Sequence, residues 1–322
     1  MIMSTSVFID GAEGTTGLQI RTRLDGRDDV ALLTLSDAER KDPARRKAML
    51  NACDVAILCL PDDAAREAVA MIDNPDVKVV DASTAHRTAD GWDYGFPEMD
   101  PGHGAVIAAS KRVANTGCYA VASVAMLRPL VEDGLLPADW PISINAVSGY
   151  SGGGKKMIQS FEDPAAESPL DTPFRVYGLG LAHKHVPEIE RWSGLTMRPI
   201  FVPSVGRYRE GMIVQIPLQL QAMPGTPKPA DVHDILASHY EDRQFVTVAD
   251  LVHGGSPVLD AEALNGTNEL RLHVFAHDDG KQVVVCGVLD NLGKGASGQA
   301  VQCLNLMTGA PEGAGLDAQI LL

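Results

Sequence analysis

Apolar positions in the first third of the chain fall into two alternating rhythms. Short β-prone runs at 7–10, 30–35, 54–60, 77–83 and 105–110 are separated by segments of helical character at 16–24, 43–51 and 62–72. The run DVAILCL (54–60) is continuously apolar, as a strand buried on both faces must be. Two aspartates open the Ala-rich segment 62–72, where they suit the positive end of a helix. Repeated strand–helix alternation predicts a parallel, doubly wound sheet.

Beyond residue 117 the rhythm changes. A helix is predicted over 118–132, beginning at Cys118, then a strand at 142–147, the turn GYSGGGKK and a helix at 155–161. Strands follow at 199–205, 212–220, 245–252, 270–276 and 283–289, the last two joined by HDDGK, whose Asp279-Gly280 is a hairpin signal. Helices are expected at 231–240 and 297–307, with MPGTPKPAD (223–231) as a loop. This region predicts an α+β domain with a mostly antiparallel sheet.

The chain has 322 residues, 45% of them hydrophobic, enough for one large core or two medium ones. A net charge of -15 argues against non-specific nucleic-acid binding and docking on an anionic membrane. It also means that an anionic substrate must meet locally placed cations. No apolar run approaches the roughly 20 residues of a membrane span, and the first residues, MIMSTSVFIDGAEG, lack a basic leader region. Five cysteines, an odd count without a CxxC, fit a reduced, cytoplasmic protein better than a disulfide framework.

Between the first strand and first helix lies Gly11-Ala-Glu-Gly14-Thr15-Thr16-Gly17. Glycines in that place let the backbone approach a pyrophosphate, and the helix start offers N–H donors. The spacing is GxxGxxG, which a tight turn without a ligand would also satisfy. The position predicts a Rossmann dinucleotide-binding domain. At the end of the second strand Asp37 suits the ribose hydroxyls of NAD, whereas Ser36, Arg40 and Lys41 suit the 2′-phosphate of NADP.

Cys118 follows Asn115-Thr116-Gly117 at a strand–helix junction. A thiol there feels the helix dipole, which favours the attacking thiolate. Cys53, Cys59, Cys286 and Cys303 lie in apolar elements, where a free cysteine is ordinarily structural. His183-Lys184-His185-Val186-Pro187-Glu188 gathers candidate acid/base groups, although a charged helix start would read the same. Candidate anion contacts are Ser83 and Arg87 in DASTAHR, Ser151 and Lys155 in SGYSGGGKK, and Arg207; each reads equally well as surface charge or loop.

Taken together, FIDGAEGTTG, DASTAHR, YGFPEM, NTGCYA, SGYSGGGKK, HKHVPEI and NLGKGASGQAVQCLNLM resemble the N-acetyl-γ-glutamyl-phosphate reductases of arginine synthesis, in their shorter form. That family belongs to a wider group with aspartate-semialdehyde dehydrogenase. The resemblance runs in order over nearly the whole chain. It implies NADP as cofactor, an acyl-phosphate substrate, a thioester on Cys118, and an acid/base histidine at His185 or His183. It implies an NADP-binding domain of 1–117 plus 297–322 and a catalytic, oligomerising domain of 118–296, in a homodimer or homotetramer. Gly11, Gly14, Thr15, Thr16, Gly17, Ser36, Arg40, Ser83, Gly293 and Lys294 become the expected cofactor contacts. Arg87, Ser151, Lys155 and Arg207 become the expected substrate contacts, with no metal. Thr116 stands where the longer form has proline, and SGGGK carries a lysine where that form has arginine. Rival readings are the same chemistry on another acyl phosphate such as aspartyl phosphate, a non-catalytic NADP sensor, and a cysteine hydrolase.

Overall fold

The computed structural model describes residues 4–36 and 38–316; Asp37 and the last residues of the expected first domain, 317–322, lie outside them. The chain divides into two compact units. Among the described residues, one takes in those up to Pro97, Gly102–Thr116 and 296–316; the other holds Glu98–Pro101 and Gly117–Gly295.

The first unit alternates as the sequence pattern predicts. It runs β1 (Thr5–Asp10), α1 (Thr15–Leu24), β2 (Val30–Leu33), α2 (Pro43–Ala52), β3 (Val55–Leu58), α3 (Asp62–Ala70), β4 (Lys78–Asp81), β5 (Asp93–Gly95), α4 (His103–Ala109) and β6 (Arg112–Asn115). Asp42 caps α2 by accepting from Ala44 N–H at 2.9 Å, with Pro43 in the first turn. The six strands are all parallel, in the order β2-β1-β3-β4-β6-β5. β2 and β3 flank β1 on opposite sides, so the ends of β1 and β3 form the switch point where such sheets bind ligands. Phe8, Ala56, Leu58 and Val79 pack on one face against Leu50 of α2 and Ala68 of α3.

The expected strand at 105–110 is instead helix α4, and the strand follows at Arg112–Asn115. The segment is apolar but Ala-rich, and Ile107 is its buried residue. Left-handed Gly102 (φ +85°) turns the chain into this helix. The three-residue strand β5 carries too little pattern to be read.

The second unit contains α5 (Cys118–Glu132), β7 (Ser143–Gly149), α6 (Gly154–Glu162), β8 (Phe174–Val176), α7 (Val186–Ser193), β9 (Ile200–Gly206), β10 (Met212–Gln219), α8 (Pro229–His239), β11 (Val246–Val248), β12 (Val252–His253), β13 (Leu270–Ala276) and β14 (Gln282–Leu289). The sheet order is β11-β13-β14-β10-β7-β9-β8, with β12 also paired to β13. The sheet is mixed, which corrects the mostly antiparallel expectation. β7/β9, β11/β13 and β12/β13 are parallel, while β10/β14, β10/β7, β13/β14 and β8/β9 are antiparallel. The cause is connectivity: the chain leaves β7 through α6, β8 and α7 and re-enters in the same direction as β9. Helix α8 starts at Pro229, so the end of the expected loop 223–231 is helical.

Helix α5 is apolar all round, and eleven of its residues are buried, the condition of a helix enclosed by its own unit. It packs on β14, β10, α7 and α8. After β14 a π-type turn (Gly293–Ser297) leads into α9 (Gly298–Thr308), which rejoins the first unit. No described helix is long and apolar enough to cross a membrane.

Candidate active site

In the first unit the glycine turn lines a cavity of about 430 Å³ together with the ends of β2 and β3. Gly11 has φ +89°, and a Cβ there would lie 2.3 Å from Cys59 O. A Cβ on Gly17 would lie 2.5 Å from Gly11 O. Both glycines are therefore demanded by the turn itself. Gly14 differs: a Cβ there would meet Gly11 O at 3.4 Å, ordinary contact, so the fold does not require its bareness. Gly14 is the N-cap of α1, no side chain caps that end, and no acidic residue lies in the first turn. Open backbone beside uncapped N–H groups, next to Thr15 and Thr16, fits a cofactor pyrophosphate.

Other expected cofactor contacts divide. Arg40 lines the cavity, 3.8 Å from Glu13. Ser36 gives both its N–H and its hydroxyl to Glu39, at 3.1 and 2.7 Å. Ser83 is buried, its hydroxyl donating to Asp81 at 2.8 Å. Absent from the sequence reading was Arg46, which reaches back from α2 to the buried carboxylate of Asp10 in the cavity wall, at 2.7 Å.

In the second unit Cys118 is the first residue of α5 and is partly exposed. Its N-cap, Gly117, donates its N–H to the carboxylate of Glu188 at 2.7 Å. That bond draws the start of α7 onto the start of α5. His185 is the N-cap of α7 and buried. His183 sits beside it, the rings 4.8 Å apart, and its Nδ1 accepts from His185 N–H at 3.2 Å. A neutral His183 therefore carries its proton on Nε2. Both rings lie 5.8 Å from that of Tyr119. The Tyr119 and Tyr177 hydroxyls meet at 3.0 Å. Burial pushes both phenols up, Tyr177 to about 12, and the nearby Cys118 adds to the effect on each. The helix start favours negative charge on sulfur, and the two raised phenols keep their protons beside it.

Gly295 closes the other side. A Cβ on it would lie 2.7 Å from the Cys118 Cβ, so only glycine leaves that side chain in place. The turn carrying it is pinned by Lys294, whose fully buried ammonium meets both oxygens of Glu98 at 2.8 and 2.9 Å. A Cβ on Gly293 would lie 2.1 Å from Thr267 O.

The remaining cysteines are of another kind. Burial pushes Cys53 up to about 11 and Cys59 and Cys286 to about 12, the carboxylates of Asp81 and Asp10 contributing at Cys59. Buried Cys303 approaches Gly95 O at 3.5 Å.

Two family models match this architecture. One described as the NAD binding domain of semialdehyde dehydrogenase covers residues 6–106, and one described as its dimerisation domain covers 118–291. An N-acetyl-gamma-glutamyl-phosphate reductase of Burkholderia cenocepacia is 56% identical over 96% of this chain and 99% of its own length. The chain belongs to the N-acetyl-gamma-glutamyl-phosphate reductase family. A member from Pseudomonas putida, named N-acetyl-gamma-glutamyl-phosphate reductase 2, is 55% identical over 94% of this chain and 97% of its own. Among solved structures, aspartate semialdehyde dehydrogenase II of Vibrio cholerae matches with a TM-score of 0.68 over 95% of this chain and 99% of its own, at 16% identity. The enzyme from Francisella tularensis reaches 0.70 over 94% and 100%, at 11% identity. These two likenesses show the fold.

The expected substrate contacts of this reductase-family chain fall in different settings. The SGYSGGGKK turn is zipped to the Arg207 loop by Tyr150 N–H to Tyr208 O (2.9 Å) and Ser151 N–H to Arg209 O (3.0 Å). Ser151 is buried, its hydroxyl accepting from Asn291 at 2.9 Å. Lys155 is exposed in the first turn of α6 and faces no carboxylate among the described residues. Arg207 is exposed and pairs with Asp171. Arg87 is buried and donates to the carbonyls of Asn115 (2.9 Å) and Thr116 (3.2 Å). It props the backbone that leads into Cys118.

Proposed function

We propose that this chain is an NADP-dependent reductase that converts N-acetyl-γ-glutamyl phosphate to N-acetylglutamate semialdehyde and phosphate, in arginine synthesis. The observation that carries the reading is Cys118 at the start of α5, with two histidines packed on the adjoining Tyr119 ring, in a chain 56% identical to a reductase of that name over nearly its full length. The segment 1–117 with 297–322 holds the cofactor, and 118–296 carries the chemistry and self-association.

His185 accepts the thiol proton as the Cys118 sulfur attacks the acyl carbon. Main-chain N–H groups at the start of α5 hold the oxyanion, and Lys155 serves the phosphoryl or carboxylate group. Phosphate departs as the thioester forms. NADPH supplies the hydride that reduces the thioester carbon. The alkoxide then collapses, expelling the Cys118 thiolate and releasing the aldehyde. Self-association, as dimer or tetramer, is supported by the edge of the second sheet. Phe174, Val176 and Ile200 are 52%, 44% and 51% exposed there, and Leu179 next to β8 is 68% exposed.

The test is NADP reduction by purified protein with N-acetylglutamate semialdehyde, with and without phosphate. Phosphate-dependent turnover that vanishes in Cys118→Ser, with cofactor binding intact, is the expected result. Turnover with aspartate semialdehyde in its place would move the substrate assignment, and no turnover with either would overturn the enzyme reading.

A further inference from the structure

The nucleotide cavity is a cationic spot in an acidic chain. Three arginines line it, Arg21, Arg40 and Arg46, against two carboxylates, Asp10 and Glu13. Arg46 is locked to Asp10, with Nε and Nη2 on the same oxygen at 3.2 and 2.7 Å. Arg40 faces Glu13 at 3.8 Å. Arg21 faces no carboxylate among the described residues, so it supplies the surplus charge. It stands exposed on α1, the helix whose bare start offers the pyrophosphate donors. Arg23, its neighbour in the last turn, is buried and points at Ser297 instead.

Among the described residues, the end of β2, where an NAD-binding sheet presents a carboxylate to the ribose, gives this cavity Thr34 and Leu35. The donors of Ser36 are taken by Glu39. A 2′-phosphate brings nearly two negative charges to a place where Asp10 is already neutralised. We propose that Arg21 is the specificity-determining residue that reads the cofactor 2′-phosphate. Arg40 assists, and the Asp10–Arg46 pair keeps the cavity wall from repelling the phosphate. The assignment rests on the NADP reading above and names the residue behind it.

The experiment titrates 2′,5′-ADP and 5′-AMP into the protein by calorimetry, for wild type, Arg21→Ala and Arg21→Lys. Wild type is expected to prefer 2′,5′-ADP. Arg21→Ala loses about tenfold for 2′,5′-ADP, the scale of one charge-assisted hydrogen bond, with 5′-AMP unchanged. Arg21→Lys restores most of the loss. Retention of the preference in Arg21→Ala would overturn the assignment. So would equal weakening of both ligands, which marks general attraction or structural damage. A wild type without any preference would remove the NADP reading itself, a failure distinct from that of Arg21.

Discussion

The chain makes the same local structure twice, a strand, a glycine-bearing turn and a helix start, and dresses it in opposite ways. At Gly11–Gly17 the helix start is left bare. Two glycines close the turn, a third clears space in front of it, and arginines gather around the opening. At Asn115–Cys118 the helix start is crowded. Glu188 occupies the Gly117 N–H, Gly295 presses on the cysteine, and two histidines pack on the adjoining Tyr119 ring. One junction leaves an open, uncapped helix start beside a cavity lined by arginines. The other is built to hold a single sulfur atom still. A helix N-terminus is thus a starting material whose function is set by what packs around it.

The sharpest way to break this comparison is to ask whether Cys118 alone among the buried and half-buried thiols reacts. At neutral pH Cys53, Cys59 and Cys286 stay protonated, because burial has raised each to about 11 or 12. Iodoacetamide at pH 7.5 followed by peptide mapping is expected to modify Cys118 at least a hundredfold faster than those three. Equal labelling would contradict the account. The same three thiols carry a sign for stability. Their unfolded forms ionise near pH ~8.5 while the folded forms hold their protons. Stability is therefore unaffected below that pH and falls as pH rises above it, which chemical denaturation at pH 7 and 10 measures.

Next in size is Gly295→Ala. The added methyl collides with the Cys118 Cβ and must shift the sulfur. A fall in kcat on the order of a hundredfold is expected from such a displacement, with 2′,5′-ADP binding unchanged in calorimetry.

The two turn glycines separate fold from ligand. Gly17→Ala meets backbone at 2.5 Å and is expected to lower stability by roughly 1–3 kcal/mol in a denaturant melt. Gly14→Ala meets nothing in the protein closer than 3.4 Å, so it should melt like wild type while NADPH binding weakens about tenfold. Normal cofactor binding in Gly14→Ala would deny that the bareness serves a ligand.

An effect of the same size as that of Gly17→Ala falls on Glu188. Replaced by alanine, it leaves the buried Gly117 N–H without its acceptor, a cost of about 1–3 kcal/mol readable as a lower melting midpoint. Glu188→Gln keeps an acceptor and removes a negative charge from the helix start. Its stability should stay nearer wild type, and Cys118 alkylation at pH 7 should rise a few-fold.

The first unit was legible because its signals are local. Buried strands, helix starts and the glycine turn each sit within a few residues, and α5 begins at Cys118 as the junction predicts. The mixed second sheet was not, because whether β7 meets β9 in parallel depends on a crossover far outside any sequence window. Segment 105–110 misled because short apolar runs read alike as strand and helix. Within the site, the sequence pattern makes Arg87 an expected substrate contact and Lys294 an expected cofactor contact. Arg87 and Lys294 instead face inward, toward backbone carbonyls and Glu98, partners that lie 28 and 196 residues away. Gly295 shows its role only once Cys118 is seen against it.

The central claim is that Cys118 carries the acyl group. Its most direct test is to incubate the protein with N-acetylglutamate semialdehyde and NADP in the absence of phosphate, then map the trapped adduct by mass spectrometry. A burst of reduced cofactor stoichiometric with protein chains, and an N-acetylglutamyl group on the Cys118 peptide, is the predicted result. Reduced cofactor without an adduct, or an adduct on another residue, would contradict it.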